Sequence, residues 1–405
     1  MYVNKIKYII AMSILFILNF NIYSLALDSY MWTGDVSAVS TNQSSNVPLD
    51  LKLESASAIL IDQKTGEVLY EHNSHEQLRP ASVTKIMTIL LIMEALDSGK
   101  IALDDKVPCS QNASSMGGSQ IWLDTREELT VNDMLKAICV VSANDCTMAM
   151  AEYLAGTEEA FVEQMNEKAK QLGMNDTNFK NCHGIDEDGH VTSAYDIGLM
   201  SKELLNNHPN ITNYTTIWMD SLRNGKSELV NTNKLIRNYK GATGLKTGST
   251  SLALYNLSAS AIRNDLSLIA VIMRAPSSTI RFNEAKKLLD YGFANFTYTS
   301  IGNRGDIIQE VLVDKGIDKT VALVLENNVG KTIKKGTSNE ISQEISINEN
   351  ISAPITEGDI LGNILYTFSD KSTLKSNLIA NKSIEKITLW TLTANLYKMW
   401  FNLFR

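Results

Sequence analysis

The stretch Pro80-Ala-Ser-Val-Thr-Lys-Ile-Met-Thr-Ile-Leu-Leu-Ile-Met93 starts with a proline and small polar residues, then runs almost wholly apolar to a stop at Asp97-Ser98-Gly99. Proline suits a helix start, and a helix that is apolar on most sides has to be a buried central one. Ser82 and Lys85 stand three apart at its beginning, on one helical face, so the amine can reach the hydroxyl. Backbone N–H groups at a helix N-terminus also favour the negative charge that develops in acyl transfer. A serine and a lysine at this spacing recur by chance in many proteins, so the rest of the chain has to decide what they mean.

Upstream, Ala58-Ile-Leu-Ile-Asp62, Gln63-Lys-Thr-Gly66 and Glu67-Val-Leu-Tyr-Glu71 read as strand, turn and strand, with Gly66 supplying backbone freedom. Downstream, the periodicity predicts helices over 131–154, 157–172 and 195–206. A hairpin follows over 255–262 and 266–273, turning at Arg263-Asn264-Asp265, and then a closing helix over 281–291. Strands at both ends with helices between them predict an α+β domain over 51–296, its single antiparallel sheet completed by the two chain ends. From 297 to 382, short β-type runs such as Thr320-Val-Ala-Leu-Val-Leu325 predict a small all-β, sandwich-like domain.

The two ends differ from both domains. Lys5 and Lys7, the apolar run 8–20 and Ser24-Leu25-Ala26 make residues 1–26 an export signal. A retained membrane helix would need about 20 apolar residues. Residues 27–50 are rich in Ser, Thr and Asn and read as a flexible lead. At the other end, Thr388, Thr391, Asn395, Lys398, Asn402 and Arg405 recur at steps of three and four, leaving Trp390, Trp400, Phe401 and several leucines on the remaining face. So narrow a polar stripe predicts an amphipathic helix over 383–405 lying on the outer face of a membrane; the alternative is a helix packed on the β domain.

Composition sets outer limits. The chain has 405 residues, 44% hydrophobic and 20% charged, which suits a large enzyme domain with a smaller companion. Its formal charge of −8 becomes −10 once the two lysines of the signal are gone, and no basic face is evident for a nucleic acid. Cys109, Cys139, Cys146 and Cys182 are too scattered for a disulfide scaffold or a zinc site; one bridge and four buried thiols both fit. His183 and His190, seven apart around an acidic loop, are a weak metal signal and read as polar loop residues, so no metal or cofactor is expected. No G-x-S-x-G elbow is present.

Two further motifs accompany the serine and lysine. Val140-Val-Ser-Ala-Asn144 places an S-x-N on a predicted helix, and Lys246-Thr-Gly248 directly precedes the hairpin. An earlier Lys64-Thr65-Gly66 falls before the serine and is read as a turn. S-x-x-K, S-x-N and K-T-G in this order and spacing resemble the penicilloyl-serine transferases. Ala81-Ser-Val-Thr-Lys-Ile-Met-Thr88, Ser115-Met-Gly-Gly-Ser119, Leu172-Gly-Met174, His183-Gly184 before Ser193-Ala-Tyr-Asp196, and Arg281 before Lys287-Leu-Leu-Asp-Tyr-Gly-Phe293 bring the chain closer still. It resembles the low-molecular-mass D-alanyl-D-alanine carboxypeptidases from about residue 53 to 296, and the β domain and tail are similar to that family as well.

The resemblance implies a role for each residue. Ser82 would be the acylated nucleophile, Lys85 its base and Ser142 a proton relay, while Asn144 would hold the substrate amide. Lys246 and Thr247 of the Lys-Thr-Gly248 strand would grip a terminal carboxylate, with Arg281 nearby, and the backbone N–H groups of Ser82 and Ser249 would form the oxyanion hole. The substrate would be the peptidoglycan stem pentapeptide, with β-lactams as covalent inhibitors. A neutral Lys85 at pH 7 would cost about 4.6 kcal/mol from an ordinary pKa of about 10.4, a shift that burial and Lys246 would both favour. The chain departs from the family in having Ser249 where His is frequent, and Leu254 and Ala143 where Gly is usual. A β-lactamase or a catalytically idle wall-sensing module would share the three motifs, though a lactamase needs neither the β domain nor the tail.

Overall fold

The computed structural model describes residues 51–337, 340–390 and 393. The predicted signal and lead, and most of the predicted amphipathic helix, lie outside the described residues. Five antiparallel strands form the main sheet, in the order Val68–His72, Ser57–Asp62, Leu266–Ala275, Leu254–Arg263, Ala242–Thr250. The early hairpin thus joins the late one through Ser57–Asp62 and Leu266–Ala275, as strands at both chain ends predict.

The two central strands are apolar at nearly every position because the sheet is covered on both faces. Ile59, Ile61, Ile269, Val271 and Met273 belong to the core shared with the helices. Their alternating neighbours Ala58, Leu60, Leu268, Ala270 and Ile272 pack with Leu288 and Leu289 of the closing helix Ser278–Asn295. A period of two delivers each set to its own layer. The central helix Lys85–Asp97 is buried along most of its length, including Ile86, Met87, Ile89, Leu90 and Ile92.

Two predicted helices are interrupted, both at motif residues. The first turn of the central helix, Ala81–Thr84, is a 3₁₀ turn whose Ala81 has φ 49°. The helix predicted over 131–154 is two helices, Val131–Val140 and Asn144–Ala155. Between them Ser142 sits at φ 65°, and the Ala143 N–H reaches back 3.2 Å to the carbonyl of Ala137. A left-handed residue followed by such a long-reaching bond is how many helices end. Apolar periodicity continues across the break, which is why the sequence pattern does not reveal it. The S-x-N motif therefore occupies a helix junction, contrary to the expectation of a helix.

The closing helix leads directly into the strand Phe296–Gly302 of the small domain. There a five-stranded antiparallel sheet, ordered Ile307–Leu312, Thr320–Leu325, Thr373–Ala380, Ile360–Phe368, Ile341–Ile347, accompanies the pair Phe296–Gly302 and Val329–Lys334. Leu323, Leu325, Val329, Ile364, Phe368 and Leu378 form a core that joins both sheets. Lys64-Thr65-Gly66 does close a hairpin turn: Asp62 Oδ1 accepts from Thr65 N at 2.6 Å and from Thr65 Oγ1 at 2.9 Å. The same turn meets the small domain, since Asp62 Oδ2 accepts from Thr332 Oγ1 at 2.7 Å and Lys64 Nζ lies 4.0 Å from the centre of the Tyr298 ring. All four cysteines are free and buried.

The expected end of the β domain at 382 falls short. Ile384 is 2% exposed, bridges Ile355 and belongs to a cluster with Val313, Val321 and Ala380, and Lys386 bridges Gly316. Apolar Ile384 was grouped with the tail by its sequence neighbours, whereas its packing belongs to the domain. Ile384→Ala should lower the stability of the small domain by about 2–5 kcal/mol, as other buried truncations do. Denaturant titration of the purified chain reads this directly, and an unchanged midpoint would place Ile384 outside the core.

Candidate active site

The 3₁₀ turn brings Ser82 beneath the Lys85 side chain, and packing from three directions holds that turn. Gly184, at φ 91°, passes so close that a Cβ there would lie 2.0 Å from the Ala81 carbonyl oxygen. From the sheet side, a Cβ on Gly248 would lie 2.8 Å from the backbone nitrogens of both Ser82 and Val83. Only glycine permits either approach. Behind the turn, Lys180 N–H donates to His190 Nδ1 at 2.9 Å, which leaves the ring proton on Nε2 to donate to Thr84 Oγ1 at 2.8 Å. Thr84 Oγ1 in turn donates to the Ala81 carbonyl at 2.8 Å. Burial pushes the His190 pKa down to about 4, so the ring stays neutral and this tautomer holds at neutral pH.

Lys85 is fully buried, and its Nζ has three neighbours: Asn144 Oδ1 at 2.6 Å, the His183 carbonyl at 2.6 Å and Ser82 Oγ at 3.0 Å. The first two can only accept, whereas a hydroxyl can also donate. A neutral amine has two N–H donors and one lone pair, so this environment matches it group for group. Burial first, and then the positive charge of Lys246, hold the Lys85 pKa well below the ordinary lysine value.

The helix junction supplies two more residues. Asn144 starts its helix with its N–H on the Ser119 carbonyl at 2.6 Å and its Nδ2 on the Gly117 carbonyl at 2.7 Å. Ser142 is 4% exposed, and its hydroxyl has no hydrogen-bond partner among the described residues. A buried hydroxyl left in that state is expected where a ligand or water completes the site.

The edge strand Ala242–Thr250 forms the opposite wall. Lys246, 1% exposed, donates to the Thr247 carbonyl at 3.0 Å, and Thr247 Oγ1 donates to Thr232 Oγ1 at 2.8 Å. Burial, with the charge of Arg281 adding to it, brings the Lys246 pKa down to about 7. Arg281 donates to the carbonyls of Gly248 at 3.2 Å and Asn256 at 3.1 Å and to Ser278 Oγ at 3.2 Å. Its backbone contacts are therefore with the edge strand and with its neighbour Leu254–Arg263. Ser249, next along that strand, is exposed.

Of the expected residues, Ser82, Lys85 and Asn144 are joined by direct contact, Gly248 packs on the turn and Arg281 reaches Gly248, whereas the side chains of Ser142, Lys246, Thr247 and Ser249 make no hydrogen bond to this group among the described residues. Sequence reasoning missed the support behind the turn. His190, Thr84 and Gly184 fix the Ala81 carbonyl, and His183 contributes its backbone oxygen. A polar loop that donates a carbonyl leaves no side-chain signature, and only the His183-Gly184 pair marked the place. A separate polar cavity of about 1020 Å³, lined by Lys64, Tyr298, Asn327 and Lys375 among others, includes none of these groups.

Comparison with known proteins identifies the family. Residues 41–277 match the D-alanyl-D-alanine carboxypeptidase family, and residues 296–386 match the C-terminal domain of penicillin-binding protein 5. The chain is 44% identical to D-alanyl-D-alanine carboxypeptidase DacF of Bacillus subtilis, over 83% of its own length and 87% of the relative's. Its structure is similar to that of penicillin-binding protein 5 from Haemophilus influenzae, with a TM-score of 0.72 and 31% identity, covering 83% of this chain and 98% of the other. It is also similar to ampicillin-bound penicillin-binding protein D2 from Listeria monocytogenes, with a TM-score of 0.56 and 30% identity over 60% of this chain and 100% of that one. By its motifs, the family models that match both its domains and its identity to the curated relatives, the chain belongs to the D-alanyl-D-alanine carboxypeptidase family of penicillin-binding proteins.

Proposed function

We propose that the chain is an exported serine carboxypeptidase that removes the terminal D-alanine from peptidoglycan stem pentapeptides through an acyl-serine intermediate. The observation that carries this reading is the buried Lys85 amine, with acceptors for two protons and Ser82 Oγ at 3.0 Å in the remaining direction. Its lone pair takes the Ser82 proton as Oγ attacks the carbonyl of the penultimate D-alanine. The backbone N–H groups of Ser82 and Ser249 take the negative charge on the carbonyl oxygen.

As the C–N bond breaks, Ser142 passes a proton to the departing nitrogen, a role that suits a buried hydroxyl with no partner among the described residues. Free D-alanine leaves, and water then attacks the ester with Lys85 again as base. Asn144 has one Nδ2 proton on Gly117 and a second for the substrate amide. Lys246 holds the carboxylate by a charge-assisted hydrogen bond, and Thr247 joins it by turning its hydroxyl proton from Thr232 to the carboxylate. Arg281 supports them as a positioning residue, by holding the Gly248 carbonyl and adding positive charge. β-Lactams would acylate the same serine.

The outer face of a membrane is the proposed location. Leu389 and Trp390, just beyond the last bridge of the small domain, are 84% and 82% exposed, and the narrow polar stripe continues after them in the sequence. Among the described residues no helix is long and apolar enough to cross a bilayer.

Ser82→Ala should abolish covalent labelling by a fluorescent penicillin, because Ser82 alone combines the buried lysine with the turn. Labelling at wild-type intensity would move the nucleophile elsewhere. Ending the chain after Ile387 keeps Ile384 in its core and should release labelled protein into the soluble fraction. Continued sedimentation with membranes would put the anchor in another segment.

The carboxylate grip has a pH signature. kcat/KM reports groups of the free enzyme, and Lys246 is charged below its pKa of about 7 and neutral above it. A peptide ending in a free carboxylate should therefore be favoured over its C-terminal amide below pH 7, by about ten- to a hundredfold for the loss of one contact of about 1.5–3 kcal/mol and by more for two. That preference should shrink as pH rises through 7, and Lys246→Ala should remove most of it at every pH. Equal turnover of acid and amide at pH 6 would defeat the carboxylate-grip reading.

A further inference from the structure

Trp122 stands out among the exposed residues. It is 75% exposed and has φ 56°, a left-handed backbone that a bulky side chain adopts only under constraint. Its neighbours Ile121 and Leu123 are 6% and 4% exposed, so the loop is sealed on both sides of it.

The constraint is built from two charged side chains. Asp145, fully buried, accepts the Ile121 N–H at 3.1 Å and the Leu123 N–H at 3.0 Å on one carboxylate oxygen, straddling Trp122. From the other direction, Arg223 donates to the carbonyls of Ile121 at 2.8 Å and Trp122 at 3.4 Å, while a two-point contact with Glu127 at 2.6 Å fixes the guanidinium. Four hydrogen bonds thus hold three residues in a strained loop whose central side chain contributes little to the core. Glycine or asparagine would occupy that backbone with less strain.

Its position is tied to the catalytic group. Asp145 follows Asn144 directly, and the loop that leads to Trp122 meets Asn144 at the carbonyls of Gly117 and Ser119. In the proposed function the carboxylate end of the substrate lies at Lys246 and Thr247, with Asn144 on the acyl side of the scissile bond. The part of the substrate that extends past Asn144 is then the residue preceding the D-Ala-D-Ala pair.

We propose that the Trp122 indole is a specificity-determining platform that packs against the apolar side chain of the residue preceding D-Ala-D-Ala, on the strength of its exposed side chain and of a backbone pinned by Asp145, the residue after Asn144. The inference rests on the carboxypeptidase reading. An aromatic face favours methylene-bearing side chains over a methyl group because it can cover more apolar surface, and a prefixed loop adds no ordering cost at the moment of binding.

The test uses the full chain and two acetylated tripeptides, Leu-D-Ala-D-Ala and Ala-D-Ala-D-Ala, with release of D-alanine as the readout. Wild type should prefer the leucine peptide, and Trp122→Gly should reduce that preference about three- to tenfold, through KM. Turnover of the alanine peptide and penicillin labelling should stay near wild type, and Tm should hold or rise because the strain is relieved. Trp122→Phe should retain most of the preference. An unchanged leucine-to-alanine ratio in Trp122→Gly overturns the proposal, including the case in which the variant instead loses affinity for phosphatidylglycerol vesicles, which would assign the indole to a lipid surface. A Tm lower by several degrees with equal losses on both peptides overturns it in favour of a structural role. If wild type releases D-alanine from neither peptide, the carboxypeptidase reading has failed first, and the labelling experiment with Ser82→Ala tells the two failures apart.

Discussion

Everything in the cleft depends on keeping the amine of Lys85 uncharged in the protein interior. An ammonium there would need a counter-charge, and the two partners other than Ser82 are neutral oxygens that ask for only two protons. Lys246, also buried, is kept as the second amine of the site, and its charge works against a charge on Lys85. The two lysines are therefore not redundant. In the proposed mechanism one is kept neutral to accept a proton, helped by the charge with which the other would hold an anion.

That arrangement demands a rigid turn, since a shift of a fraction of an ångström at Ser82 would break the match. The fold meets the demand with close backbone approaches. Gly184 and Gly248 press on the turn from two sides, and the neutral His190 ring fixes the Ala81 carbonyl through Thr84. Each of these contacts comes from a segment far away in sequence. The turn itself, with Ala81 at φ 49°, would not be stable alone.

The sequence makes some of this legible and conceals the rest for physical reasons. Strand alternation and the apolar helix encode the layers, because each buried face needs apolar residues at its own period. Ser82, Lys85, Asn144 and Lys246 are legible because their chemistry requires those side chains. The break at Ser142 is concealed, since Val140, Val141 and Ala143 are as apolar as a continuous helix would require. The contribution of His183 is concealed too, because it acts through a carbonyl oxygen that any residue possesses. The side of the boundary that Ile384 serves is concealed as well, because a lone apolar residue between polar neighbours marks neither, and its bridge to Ile355 places it in the domain.

The pairing of the main sheet has one more consequence, in the order of events during chain synthesis. Ser57–Asp62 finds its inner neighbour only when Leu266–Ala275 exists, with Ser57 opposite Met273. The wall bearing Lys246 hangs from that same late hairpin. A growing chain thus displays its serine and its first lysine long before either has a cleft to work in, and the sheet that completes the cleft is made of non-local contacts, the slow kind to form. The hydrolase stays unassembled until most of its catalytic domain has been made.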